Sequence, residues 1–157
     1  MSIFNFFINH LHLKKIQNKT YVFCMIRKKW YPFTKEEGIR QYIIFFLKKV
    51  KKYRSSNIRV EVPFQINQLN KRLDILVILK EKPHIIIECK APNILLTQKT
   101  FDQVSRYNIK IQAPYLMVSN GIKNFVFQID AYNKKFSFLN HLPMNDSSII
   151  QKSKTYN

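Results

Sequence analysis

The sequence predicts an α/β domain, and three observations carry that reading. Ile39, Tyr42, Ile43, Phe46, Leu47 and Val50 recur at helical spacing. Arg72 to Leu79 and His84 to Lys90 are short β-branched runs joined by Lys80, Glu81, Lys82 and Pro83, which suits a β-hairpin. Beyond them a second helical pattern is followed by further strands, so helix and strand periods alternate along the chain.

In order, Tyr21 to Ile26 reads as a short strand, and the basic run Arg27, Lys28, Lys29 with Trp30, Tyr31 and Pro32 reads as a turn. Thr34 and Glu37 form a capping box at the start of a helix over about 34–53. Ile58 to Ile66 alternates as a strand that Pro63 confines to an edge or bends. After the hairpin, Thr97 or Thr100 caps a helix reaching about residue 110. It places Phe101, Val104 and Asn108 on one face and Gln103, Arg106, Tyr107 and Lys110 on the other. Tyr115 to Ser119 is a strand, Asn120-Gly121 a turn, Phe125 to Ile129 a strand, and Phe136 to Leu139 completes a second hairpin. Three regions are expected: an extension over 1–20, a folded domain over 21–142, and a disordered polar tail over 143–157.

Composition narrows the function. The chain carries 27 Lys and Arg against 9 Asp and Glu, a formal charge of +18, which favours a polyanionic partner through counterion release. The Ile, Asn, Phe, Tyr and Lys bias is also what AT-rich coding produces, so charge alone does not decide. With only Gly38 and Gly121, neither a P-loop nor a dinucleotide-binding loop is built, and no nucleotide cofactor is expected. The apolar runs are too short or interrupted for a membrane span, and residues 1–13 are broken by Asn5, Asn9, His10 and His12 with no cleavage signal. A soluble, cytoplasmic protein is expected, with Cys24 and Cys89 as reduced thiols.

Two of the nine acids interrupt apolar strands: Asp74 in RLDILVIL and Glu88 in HIIIECKAP. An ionised carboxylate in a buried strand costs several kcal/mol unless it is paired or holds a metal. Glu88 and Lys90 leave the same face of their strand, and a hairpin pairing 74 with 88 around a three-residue loop adds Asp74 to that face, ~5 Å away. Two hard oxygen donors and a lysine suit Mg²⁺-dependent phosphodiester hydrolysis. The alternative is a structural ion network with Arg72, Lys90 or another cation.

Read together, IRKKWYPFTKEEGIRQYI, VEVPFQI, KRLDILVI, PHIIIECKAP, TFDQVSRYN and PYLMVSNG resemble, in order and spacing, the N-terminal nuclease domain of type I restriction R subunits, within the PD-(D/E)XK superfamily. The resemblance covers about residues 21 to 142. It implies a restriction-endonuclease-like core, a central mixed β-sheet flanked by helices, acting as a DNA endonuclease. Asp74, Glu88, Lys90 and Gln103 are then the catalytic set; Asp74, Glu88 and Cys89 form the metal set for Mg²⁺, with Mn²⁺ as a substitute. Arg72, Gln103, Arg106 and Tyr107 are the nucleic-acid contacts. Gln103 has a second reading as a capping partner of Thr100, and Glu37 and Glu61 compete for the role of accessory acid. Expected partners are DNA and other restriction-system subunits or a second copy of the chain.

Two positions depart from the family: Gly38 stands where a bulky aromatic is usual, and Cys24 where an acid is common. With no P-loop in the chain, the ATP-driven translocase of R subunits is not expected within these residues. The competing function is a non-catalytic DNA-binding or restriction-complex interaction module, with Arg27, Lys28, Lys29 and the Lys48 to Arg54 run as phosphate contacts.

Overall fold

The computed structural model describes residues 2–133 and 135–145, so most of the expected tail lies outside the described residues. The chain opens with a short helix α1 (Ile3–Asn9) and three antiparallel strands, β1 (Leu13–Ile16), β2 (Lys19–Cys24) and β3 (Lys29–Pro32). Helix α2 (Lys35–Lys49) leads to the main sheet: β4 (Ile58–Ile66), β5 (Leu69–Leu79), β6 (Lys82–Cys89), β7 (Tyr115–Ser119), β8 (Asn124–Asp130) and β9 (Lys135–Leu139), in that spatial order. Every neighbouring pair is antiparallel except β6 and β7, and a parallel pair needs a crossover. Helix α3 (Gln98–Ile111) supplies it. The result is the mixed sheet flanked by helices that the sequence predicts.

The two longer helices each cover one face of the main sheet. Ile39, Ile43, Ile44 and Leu47 of α2 pack on Ile75, Val77, Ile85, Ile87 and Met117. Val104 and Tyr107 of α3 pack on Leu73, Leu76, Ile86, Leu116 and Phe127. Strands buried on both faces explain why β5 and β6 read as nearly continuous apolar runs rather than alternating ones. Pro63 sits on β4, an edge strand with one unpaired side, as its missing N–H requires.

The amino-terminal region differs from the reading as an extension. Phe6 of α1 is buried against Tyr42 and Phe45 of α2, and β1 pairs with β2. Residues 29–32, expected in a turn, form β3; the reversal falls just before, with Lys28 at φ 57°. Trp30 and Tyr31 favour strand over turn. Gly38 also finds its reason here. A side chain at that position would approach the Phe33 ring to 3.1 Å and Phe7 to 3.4 Å, so these aromatics occupy the room another residue would need.

With two glycines in the chain, tight hairpins rely on other residues. Gln17-Asn18, Asn67-Gln68 and Lys80-Glu81 all have positive φ at both positions, the signature of two-residue hairpin turns. The β5–β6 loop is therefore one residue shorter than expected, and a register shift between Val77 and Ile78 absorbs the difference.

Candidate active site

The paired part of β5 and β6 sets Ile75 opposite Ile87, Leu76 opposite Ile86 and Val77 opposite Ile85, a register that continues to Asp74 beside Glu88. The ladder stops one step short of that pair. There the faces of β4 and β5 exchange: Val60 and Ile75 pack toward α2, whereas Val62 and Leu73 pack toward α3. Glu61, between the two valines, has φ 53°, a strained left-handed conformation for a residue with a side chain. Asp74 sits at this inflection, 7% exposed. Its Oδ2 accepts the Cys89 backbone N–H at 2.7 Å, and its Oδ1 accepts from Arg40 Nη2 at 2.7 Å.

Glu88 is 5% exposed and differently served. Its Oε1 accepts from Lys90 Nζ at 2.7 Å and from Gln103 Nε2 at 3.1 Å. Burial, and then the negative charge of Asp74, lift the Glu88 pKa from its ordinary 4.5 to about 6 against the pull of Lys90. For Lys90, burial works against the charge. The hydrogen bond to Glu88 and the charges of Glu88 and Asp74 outweigh it, so its pKa rises. Lys90 is thus a cationic donor at neutral pH and not a base.

A second group of acids lies beside the first. The Arg27 guanidinium bridges Glu37 and Glu61 while stacking 3.4 Å from the centre of the Tyr31 ring. Arg40 joins Glu37 to Asp74 and reaches Glu36 at 3.3 Å, and Arg72 closes on Glu61 at 3.0 Å. Glu37 takes its backbone cap from Thr34 Oγ1, yet its carboxylate is buried among Arg27, Arg40 and Gln41. Both candidate accessory acids, Glu37 and Glu61, are therefore already matched by arginine. The first-helix acid whose charge acts on Glu88 and Lys90 is instead Glu36, whose side chain is 45% exposed. Sequence reasoning missed Glu36 and Arg40. The signal was present in KEEGIR, where one arginine lies three and four residues beyond two glutamates and can gather both.

Other expectations need correction. Cys89, placed in the metal set, turns its side chain away from the site: the thiol is fully buried in the core beneath α2, and burial holds its pKa well above the ordinary value. Glu88 and Cys89 are adjacent in a strand, so their side chains leave opposite faces. Cys89 meets the site through its backbone. Arg27 and Lys51, counted among phosphate contacts, are also withdrawn from solvent; Arg27 is enclosed by its carboxylates, and Lys51 is buried with a pKa lowered by that burial. Tyr107 does not lie on an exposed polar face. It is 9% exposed and packs edge-on to Phe64 with centroids 5.0 Å apart, leaving its hydroxyl to accept from Gln103 at 3.1 Å. Thr100 lies inside α3, whose N-cap is Thr97, and Gln103 turns to Glu88 rather than to a cap. Arg72 and Arg106 are exposed.

Among the described residues, no three His, Cys, Asp or Glu side chains gather at metal-ligand spacing. Mg²⁺ does not require three. It is commonly held by one or two carboxylates, with waters and substrate phosphate oxygens completing its octahedron. Asp74 and Glu88 fit that demand, and the upward pressure on the Glu88 pKa marks a place where additional positive charge is favourable.

A mixed sheet between two helices, with Asp74, Glu88 and Lys90 gathered at the splayed end of a central hairpin, is a restriction-endonuclease-like core. The chain belongs to the family of the type I restriction enzyme R protein N terminus, whose model matches residues 35–143. Its fold is similar to the fragment structure of a putative HsdR subunit of a type I restriction enzyme from Vibrio vulnificus YJ016, with TM-score 0.54 and 17% identity over 78% of this chain and 26% of that one. The chain thus spans about a quarter of that fragment's length. Comparison with curated proteins gives no match. No helix among the described residues is long and apolar enough to cross a membrane.

Proposed function

We propose that this protein is a Mg²⁺-dependent deoxyribonuclease domain of a restriction system. The observation that supports it best is the pairing of two buried carboxylates with one charged lysine: Asp74 beside the Cys89 backbone, and Glu88 bonded to Lys90. Asp74 and Glu88 would hold the cation. When bound it supplies a Lewis acid for the scissile phosphate and acidifies water at neutral pH. The protein's own groups do the rest. Arg40 and the Cys89 N–H fix the Asp74 carboxylate in one orientation, and Gln103 fixes Glu88. Lys90, charged and half-buried, can release Glu88 to a cation and place its ammonium against the attacking water or the departing oxygen. Family membership supports the restriction context, with DNA as substrate.

The test is cleavage of supercoiled, linear and single-stranded DNA with Mg²⁺ or EDTA, by wild type and Glu88→Gln. The substitution keeps shape and hydrogen bonding but removes the charge a hard cation needs. Cleavage should fall by about 100-fold or more while DNA affinity, which rests on dispersed cations, is retained. Equal rates in the two proteins would place the activity elsewhere. Binding without cleavage by either would favour the non-catalytic module.

A further inference from the structure

Beside Gln103, the tip of the β4–β5 hairpin and the exposed side of α3 enclose two adjoining hollows of about 520 and 480 Å³. One wall is the hairpin, with Asn67, Leu69 and Lys71; the other is the helix, with Arg106 and Lys110. Three lining residues are cationic and none is acidic. The hairpin is not a loose flap. Phe64 packs on Tyr107, Lys110 Nζ donates to the Gln65 carbonyl at 2.6 Å, and Gln65 donates across the strand to Asn70 at 2.9 Å. The Asn67-Gln68 turn presents two amide side chains at its apex, and the neighbouring apolar Leu69 is 58% exposed.

We infer that this groove cradles one DNA strand next to the cleavage site, with α3 and the β4–β5 hairpin as its two jaws; the inference deepens the nuclease reading and rests on it. Lys71, Arg106 and Lys110 neutralise backbone phosphates, while Asn67, Gln68 and Leu69 at the tip meet base edges or a base step from the groove side. Because Gln103 lines the groove and also bonds Glu88, a strand seated in it is led to the paired carboxylates. The hairpin jaw thereby becomes a positioning element for the substrate.

Binding of a labelled 20-base-pair duplex, measured by fluorescence anisotropy in EDTA over a salt series, tests this without needing cleavage. Lys71→Glu with Arg106→Glu reverses two groove charges; Lys80→Glu with Lys82→Glu reverses two exposed charges at the opposite end of β5. The groove variant should weaken binding by about 10-fold or more and lower the salt slope by about 2, while the control changes affinity by less than about 3-fold. Leu69→Ala should weaken binding with the slope unchanged, the mark of a tip contact that is not ionic. Equal losses in groove and control variants overturn the groove while leaving the nuclease reading intact, and absence of wild-type binding overturns both. Groove-dependent binding in a protein that never cleaves removes the nuclease reading and the groove's part in leading a strand to a cleavage site, and leaves only a DNA-binding surface. Thermal melting of each variant separates loss of contact from loss of fold.

Discussion

The acids at the splayed end of the β5–β6 hairpin are held in two ways. Glu37 and Glu61 face arginines, and the guanidiniums of Arg27 and Arg40 each join two or more carboxylates in a rigid planar fork. Glu88 faces a lysine and a neutral amide, and burial together with the nearby charge of Asp74 raises its pKa to about 6. The arginine network has no charge left to offer. The Glu88 side holds a carboxylate whose charge is disfavoured by burial and is offset by one half-buried lysine, so an added cation there would be stabilising. Asp74 stands in both groups, anchored by Arg40 on one oxygen and by the Cys89 N–H on the other, so the network acts as the mount for the site.

The comparison is broken most severely by removing Arg40. Arg40→Gln strips a buried cation from Glu37 and Asp74 at once, and breaking a buried pair costs about 3–5 kcal/mol. A urea melt at pH 7 should show a loss of that order. A loss under about 1 kcal/mol would mean that the network does not hold the fold.

Glu88→Gln should move stability the other way. Glu88 binds its proton more tightly when folded, so the folded state is relatively favoured below the ordinary pKa of 4.5 and loses that advantage as pH rises through about 6. The difference corresponds to about 2 kcal/mol. The glutamine variant should therefore match wild type near pH 4 and exceed it by about 2 kcal/mol at pH 8, in thermal melts without divalent cation. Saturating Mg²⁺ should narrow that gap by stabilising wild type alone. A variant less stable than wild type at pH 8 would show that the Glu88–Lys90 pair outweighs the burial of charge.

Much of this arrangement was legible from residue pattern. α2, β4, the β5–β6 hairpin and α3 followed from apolar periodicity and caps, and Asp74, Glu88 and Lys90 stood out because charge interrupts their strands. What periodicity could not show was the exchange of faces at Glu61, since a positive φ in mid-strand leaves no mark on the spacing of Val60 and Val62. The parity argument for Asp74 assumed a flat ladder, whereas the strand turns at that residue. Tyr107 was misplaced for a related reason: its ring lies under Phe64 of the hairpin, a contact between elements distant in sequence. The β1–β3 region was read poorly because its strands are short and mostly exposed, so they carry little apolar alternation.

The smallest effect is expected at the outer end of the network, where Arg72 meets Glu61 at 3.0 Å but leaves 60% of its side chain in solvent. Water screens that pair, and holding a long side chain in place offsets much of the attraction, so exposed ion pairs contribute about 0–1 kcal/mol. Glu61 also keeps Arg27 if Arg72 is lost. Arg72→Ala should accordingly change stability by no more than about 0.5 kcal/mol at 150 mM salt. A double-mutant cycle with Glu61→Gln should give a coupling that shrinks further as salt rises, because solvent-exposed charges are screened within a Debye length. If Arg72→Ala instead costs as much as Arg40→Gln, burial is not what sorts these arginines. Three guanidiniums and their acids would then form one cooperative unit whose stability depends on its weakest exposed member.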